Sequence, residues 1–201
     1  MVIGLDIDDT ITDTFGVMLA YSEKFTIEDL KREIKVEHVD DVTNTDYVQA
    51  MHGWNNEDEL NFFKKYFKTI VEKTTPYFFA VDTINKLKEE GHEIIFITAR
   101  FDMTTDDGFF DVEEATKKWL QKHEIHYDKL IVNAQNKGEV AEQNNVDVFV
   151  DDSLKNCLSV SSKGIKTFIM DNRCNANSNS ELVSRVYTWP HLEQEIRKEI
   201  R

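Results

Sequence analysis

At 201 residues with 40% hydrophobic side chains, the chain is long enough for one core of ordinary size and a small insertion. Its 24 Lys and Arg face 38 Asp and Glu, a formal net charge of −14. That balance opposes binding to a nucleic-acid polymer or an anionic membrane, which both need cationic surface, yet leaves room for a small phosphate ester held by local charges. No apolar run approaches the roughly 20 residues of a membrane span. The N-terminus enters a strand without a basic leader. Cys157 and Cys174 have neither metal-ligand nor disulfide-framework spacing. A cytoplasmic protein with reduced thiols is therefore expected.

The first predicted strand covers residues 2–7 and runs straight into Asp6, Asp8 and Asp9. Its apolar run implies burial on both faces, as in a parallel sheet. A helix is predicted around Phe15, Met18 and Leu19. A second is predicted over 27–36, with Thr26 as N-cap and Ile27, Leu30 and Ile34 at helical spacing. Residues 37–56 are polar and poorly periodic, and Met51-His52-Gly53-Trp54 reads as a loop or broken helix. Asn56-Glu57-Asp58-Glu59 has capping-box chemistry. The helix after it carries Leu60, Phe63, Phe67, Ile70 and Val71 on one face, widened by Phe62 and Tyr66. Residues 14–77 thus form a helical block with no strand pattern.

From Ala80 the pattern alternates. A helix with Val81, Ile84 and Leu87 stops at Gly91, followed by a strand over 93–98 and a long loop over 100–110. Asp111 and Glu114 open a helix with Val112, Ala115, Trp119 and Leu120 on one face. Strands over 129–132, 147–150 and 166–170 alternate with helices over 137–143 and 154–162. A polar loop over 171–180 leads to a last helix over 191–200. Strand–helix alternation with short links predicts an α/β, doubly wound parallel sheet, Rossmann-like in form. Right-handed crossovers put every strand's C-terminal end on one edge, where ligands bind.

That edge is chemically rich. The first strand ends in Asp6, Asp8 and Asp9, the second in Thr98-Ala99-Arg100, the fourth in Asp151-Asp152-Ser153, and Lys137 opens the helix before the fourth. Each feature alone has an ordinary reading as a turn residue, a helix cap or a solvated charge. Together they place carboxylates, a hydroxyl and an ammonium on one rim. Hard oxygen ligands suit Mg²⁺, which also relieves repulsion between carboxylates and a phosphate. One carboxylate can attack phosphorus, and a second can protonate the leaving oxygen. Thr98 and Lys137 can hold the phosphoryl oxygens in the transition state.

In these residues the chain resembles the haloacid dehalogenase (HAD) superfamily of phosphohydrolases. Its Asp-x-Asp-x-Thr motif is matched by Asp6, Asp8 and Thr10, its Thr/Ser motif by Thr98, its Lys motif by Lys137 and its acidic pair by Asp151 and Asp152. A narrower likeness is to the 5′(3′)-deoxyribonucleotidase-type branch. It rests on Ile97-Thr98-Ala99-Arg100, on the stretch from Thr116 to Leu120 with His123, Tyr127 and Asp128, on Asp171-Asn172-Arg173 with Asn175, and on the stretch from Val186 to Trp189. Asn172-Arg173-Cys174-Asn175 departs from the proline-containing loop of that branch.

The resemblance implies an Mg²⁺-dependent phosphomonoester hydrolase acting on nucleoside monophosphates. Asp6 would be the nucleophile and Asp8 the general acid/base. The Asp6 carboxylate, the Asp8 carbonyl and Asp152 would bind Mg²⁺, with Asp151 acting through water or Lys137. Asp9 reads as a turn residue. The implied division is a core of residues 1–13 and 78–201, with a cap of 14–77 inserted after the first strand. Substrate contacts would come from Thr10, Ala99 and Arg100 and from Phe15, Met51, His52 and Trp54 in the cap. Arg100 reads equally as a phosphate contact or a structural ion pair, and the cap residues equally as its core. A homodimer is compatible with this reading.

Three other readings bear comparison. A phosphatase of sugar phosphates, or a phosphotransferase, uses the same motifs. A signalling receiver carries its phosphoacceptor at the end of the third strand, which here is Val132-Asn133 with no carboxylate. A phosphate binder without catalysis has no need of both Asp6 and Asp8.

Overall fold

The computed structural model describes residues 1–34 and 44–200. Its frame is a six-stranded parallel sheet in the order β5-β2-β1-β6-β7-β8. The strands are β1 (Val2–Leu5), β2 (Glu93–Ile97), β5 (Lys129–Ile131), β6 (Val148–Asp151), β7 (Lys166–Met170) and β8 (Ser184–Val186). β1 sits centrally, and successive strands are laid to either side of it, so the strand order reverses there. Gly4 lies opposite Ile95 and Phe149. A Cβ at Gly4 would approach the Phe149 ring to 2.8 Å, so the residue lets the central strands close up.

The strand alternation sorts the core into two layers. Ile3, Leu5, Ile94, Phe96, Val148, Val150 and Phe168 face α4 (Ala80–Glu89), α5 (Val112–Lys122) and α8 (Trp189–Glu199), where Ile84, Leu87, Trp119, Trp189 and Leu192 fill the layer. Ile95, Ile97 and Phe149 face α6 (Lys137–Gln143) and α7 (Leu154–Ser161) through Ala141 and Val160. Burial on both faces is why these strands read as near-continuous apolar runs. Cys157 and Cys174 are free thiols. Among the described residues no helix is long and apolar enough to cross a membrane.

Between β1 and β2 lie α1 (Thr14–Glu28), α2 (Asn44–His52) and α3 (Asn56–Lys73). They close around Phe15, Phe25, Trp54, Phe62 and Tyr66. Here the sequence reading needs four corrections. α1 is continuous through Thr26, which is no cap: its hydroxyl donates to the Ser22 carbonyl at 2.8 Å and accepts from Trp54 Nε1 at 3.1 Å. The helix predicted over 27–36 is absent over its described part, because α1 ends at Glu28 and Lys31 adopts a φ of 54°; residues 35 and 36 lie outside the described residues. The α3 capping box is built by Asn55 with Asp58, one residue earlier than predicted. Leu60, placed on the buried face by periodicity, is 50% exposed, and Phe62 holds the centre instead.

Besides α2, which lies in the stretch read as polar and poorly periodic, a hairpin and a strand were not foreseen. The stretch read as a loop after β2 holds a hairpin, β3 (Met103–Thr105) with β4 (Gly108–Phe110). It docks on α3: Asp106 N–H donates to the Lys64 carbonyl at 3.0 Å, and Phe67 stacks on Phe101 and meets Phe110 edge-on. β8 adds a sixth parallel strand, whose three residues carry one buried side chain, Val186, too little for a pattern.

Candidate active site

The site lies where β1, β2 and β6 end. Asp6 continues the line of β1, its N–H donating to the Val150 carbonyl at 2.9 Å. The chain then folds tightly. The N–H groups of Thr10, Ile11 and Thr12 all point at the Ile7 carbonyl, and Asp9 takes a φ of 56°. Asp9 accepts from the Phe15 N–H at 2.7 Å, tying the turn to α1. Burial, with Asp8 nearby, pushes its carboxyl up to about 8 despite that N–H.

Lys137 is the first residue of α6, placed by close contact between α6 and α7. A Cβ on Gly138 would meet the Ser159 carbonyl oxygen at 2.5 Å, so only glycine lets α6 lie this near. The Lys137 side chain is 3% exposed; its Nζ donates to Asp6 Oδ1 and, at 2.7 Å, to Asp151 Oδ2. Asp151 is saturated: its Oδ1 also accepts from Ser153 N–H at 2.8 Å, and Asn156 Nδ2 lies within 3.3 Å of both oxygens. Asp152 is held differently. Asn172 Nδ2 donates to its Oδ2 at 3.0 Å, and Asn175 Nδ2 ties its carbonyl and that of Met170 together. Arg185 braces Asn175 Oδ1 at 2.7 Å.

Oxygens of Asp6, Asp151 and Asp152 lie within 4.8 Å of one another, and all three residues are buried. Lys137 bridges two of them, Asp6 and Asp151. Burial raises the Asp6 carboxyl well above its ordinary value; Asp151 and Asp152 add to this, and Lys137 only partly opposes it. Burial would lower Lys137, but Asp151 and Asp6 hold it above its ordinary value, so it is an ammonium. The negative excess and the hard oxygen donors fit a divalent cation such as Mg²⁺.

Thr98 extends β2 by one residue, its N–H donating to the Ile131 carbonyl at 2.9 Å, and its Oγ1 accepts from Arg100 N–H at 3.2 Å. Arg100 turns back to Asp8. Its Nε donates to Asp8 Oδ2 and its Nη2 to Oδ1, both at 2.7 Å, and Thr14 Oγ1 donates to Oδ1 at 2.6 Å. Burial would raise the Asp8 carboxyl, yet the Arg100 guanidinium and the Thr14 hydroxyl bring it below its ordinary value.

The structure thus gathers Asp6, Asp8, Thr98, Lys137, Asp151 and Asp152 on one edge, with Arg100 on Asp8. Ala99 is exposed beside them on the loop. The other expected substrate contacts fall elsewhere. Thr10 is fully buried beneath the turn, where its carbonyl accepts from Trp189 Nε1 at 3.2 Å. His52 and Trp54 stack on each other inside the helical block, bound to Ser22 and Thr26, and neither lines the adjoining cleft. Aromatic side chains at helical spacing were drawn into the nearest core, a stronger pull than an open cleft exerts. Phe15 does line that cleft, a space of about 560 Å³ behind Asp9, with Arg173 over its ring at 5.3 Å. Asp6, Asp8, Thr98 and Lys137 are not in its walls. Sequence reasoning missed Thr14, Asn156 and Arg185. Asn156, in the first turn of the helix after the acidic pair, had a positional signal; the other two had none.

An acidic β1 end, Thr98, Lys137 and the paired Asp151-Asp152 on a parallel sheet with an insertion after β1 define a haloacid dehalogenase-like phosphohydrolase. Solved structures agree on the fold. The predicted phosphatase from Clostridium acetobutylicum superposes with a TM-score of 0.67 at 13% identity, covering 98% of each chain. The haloacid dehalogenase-like hydrolase SP0104 from Streptococcus pneumoniae gives 0.64 at 11% identity over 100% of this chain and 98% of its own. The chain belongs to the family of the 5′ nucleotidase, deoxy (pyrimidine), cytosolic type C protein, whose model matches residues 1–200. It is also similar to the "Putative nucleotidase YqfW" of Bacillus subtilis, 27% identical over 93% of this chain and 89% of that protein. It is an enzyme, a phosphatase of the nucleotidase kind.

Proposed function

We propose that the chain hydrolyses nucleoside monophosphates, deoxynucleotides among them, through a phosphoryl group carried on Asp6. The observation that carries this reading is the placing of Asp6. Among the described residues it is the one carboxylate that borders Lys137, the Asp151-Asp152 pair and the Asp8 turn together. The substrate class is inferred from the family and from relatives described as nucleotidases.

In this reading Asp8 enters the cycle with a proton, taken up against the pull of Arg100 and Thr14; an Asp6 oxygen attacks phosphorus and the ester P–O bond breaks as Asp8 gives that proton to the leaving oxygen. A water then attacks the aspartyl-phosphate, Asp8 removes its proton, and the Asp6–phosphorus bond breaks to release inorganic phosphate. Asp8 ends the cycle as it began. Lys137 and Thr98 hold the phosphoryl oxygens, aided by the low dielectric of their buried positions. Mg²⁺ would be held by Asp6, the Asp8 carbonyl and Asp152, and when bound it supplies positive charge against the phosphate oxygens. Asp151, with both oxygens engaged by Lys137, Ser153 and Asn156, acts through Lys137 instead. Residues 14–77 serve as the cap over the edge, and the substrate is a free small molecule.

The test is to quench a reaction with phosphorus-labelled nucleotide in acid and map the label. An acid-stable, hydroxylamine-labile phosphoryl on the Asp6 peptide, absent in Asp6→Asn, is expected. Label on another residue, or turnover retained in Asp6→Asn, overturns the reading.

A further inference from the structure

We propose that Arg100 is a positioning residue for the leaving-group step, fixing the Asp8 carboxylate rather than binding the substrate phosphate. This rests on the reading of Asp8 as general acid. The Arg100 side chain is 3% exposed, whereas that of Asp8 is 33% exposed. The guanidinium is therefore enclosed, and its partner is open. Two of its nitrogens are taken by the two Asp8 oxygens, and Nη1 faces Thr116 Oγ1 at 3.4 Å. Two of its five N–H groups are left, on a guanidinium enclosed from solvent and so from an incoming phosphate.

The geometry also selects which oxygen of Asp8 reacts. Oδ1 accepts from both Arg100 Nη2 and Thr14 Oγ1, which uses both of its lone pairs. Among the described residues Oδ2 accepts from Arg100 Nε alone. One lone-pair direction of the carboxyl therefore stays open, on Oδ2, and that is the place for the transferred proton. A planar fork holds a carboxylate in one plane; an ammonium is a point charge that leaves it free to rotate. The grip is anchored on both sides. Arg100 comes from the loop after β2, with its N–H on Thr98 Oγ1 and its carbonyl accepting from Asn133 N–H at 2.7 Å. Thr14 is the first residue of α1, where the helical insertion begins.

The consequence is a dependence on the leaving group. A nucleoside departs as an alkoxide and needs a proton as its P–O bond breaks. 4-Nitrophenolate departs without one. The value of kcat/KM reports events up to departure of the alcohol, so the later hydrolysis of the aspartyl-phosphate does not blur the comparison. For Arg100→Lys, kcat/KM on a nucleoside 5′-monophosphate is expected to fall about a hundredfold, and on 4-nitrophenyl phosphate by less than about threefold. Arg100→Ala should show the same split, with free guanidinium restoring part of the nucleotide rate. If Arg100→Lys folds poorly, guanidinium rescue of any folded Arg100→Ala fraction makes the same comparison. Equal losses on both substrates mean that Arg100 serves the phosphate or the fold, and overturn the proposal, as does an unchanged nucleotide rate. Asp8→Asn, measured alongside, separates the two ideas. If it splits the substrates and Arg100→Lys does not, only the role of Arg100 fails. If Asp8→Asn shows no split, the general-acid reading itself fails.

Discussion

Lys137 opens α6 and Asp151 closes β6, yet Lys137 Nζ and Asp151 Oδ2 lie 2.7 Å apart, both side chains all but closed to water. The same ammonium reaches Asp6. One cation thus fastens the proposed nucleophile to the acidic pair, and two strand ends to a helix start. A buried pair of this kind is costly to break, because the partner left behind keeps its charge without solvent.

Lys137→Met is therefore expected to lose activity by at least about a hundredfold and to destabilise the fold by about 3–5 kcal/mol. Urea unfolding gives the second figure. Added Mg²⁺ should recover part of the stability and none of the activity, since a divalent cation offsets the carboxylates but does not replace the Lys137 ammonium on the phosphoryl oxygens. A variant as stable as the parent without added metal would contradict the buried-charge argument.

Metal removal has its own signature. Excess EDTA should silence the enzyme, and Mg²⁺ should raise the melting temperature of the parent protein. At a hundred times the dissociation constant the gain is about 2.7 kcal/mol. Asp152→Asn should abolish that Mg²⁺-dependent rise. If the rise survives in Asp152→Asn and vanishes in Asp151→Asn, the direct ligand is Asp151.

Trp54 tests what the helical block does. It is 6% exposed, meets Phe25 edge-on at 5.3 Å and Phe62 at 5.0 Å, and hydrogen-bonds Thr26. Trp54→Ala should cost about 3–5 kcal/mol of stability. Nucleotides and aryl phosphates should then be turned over with losses of similar size. A rise in KM confined to nucleotides, with stability unchanged, would place the ring on the substrate instead.

His52 gives the same block a pH dependence. Burial lowers its pKa from the ordinary 6.5. As pH falls past about 6.5 the unfolded chain takes up a proton that the folded chain still refuses, so the unfolded state binds more protons and stability falls. Buried His92 and half-buried His123, lowered first by burial as well, act in the same direction. The urea midpoint should drop between about pH 7.5 and pH 5.5, and His52→Gln should flatten part of that drop. An identical slope in the variant would remove His52 from the effect.

The carboxylates of the candidate site were legible because of where strands stop. Asp6, Thr98 and Asp151 each follow an apolar run, and parallel alternation forces such ends onto one edge. What failed were features settled by partners distant in the chain. The strand Ser184–Val186 exists because β7 offers a free edge to its side, not because its residues form a pattern. The hairpin at Met103–Thr105 forms against α3, whose Phe67 covers Phe101 and Phe110. Thr26 looked like a cap until Trp54 gave its hydroxyl a partner inside a continuous helix.

The sequence by itself determined the parallel sheet, the edge that carries the candidate site, and the acidic, Thr and Lys groups there. Local periodicity and strand ends are written within a few residues of chain. Only the tertiary structure decided how each carboxylate is used: Asp151 saturated by Lys137 and Asn156, Asp152 held from the Asn172 loop, Asp9 turned onto α1, and Asp8 gripped by Arg100 from 92 residues away. A side chain's partner depends on which distant segments the core brings beside it, and that is settled by packing over the whole fold.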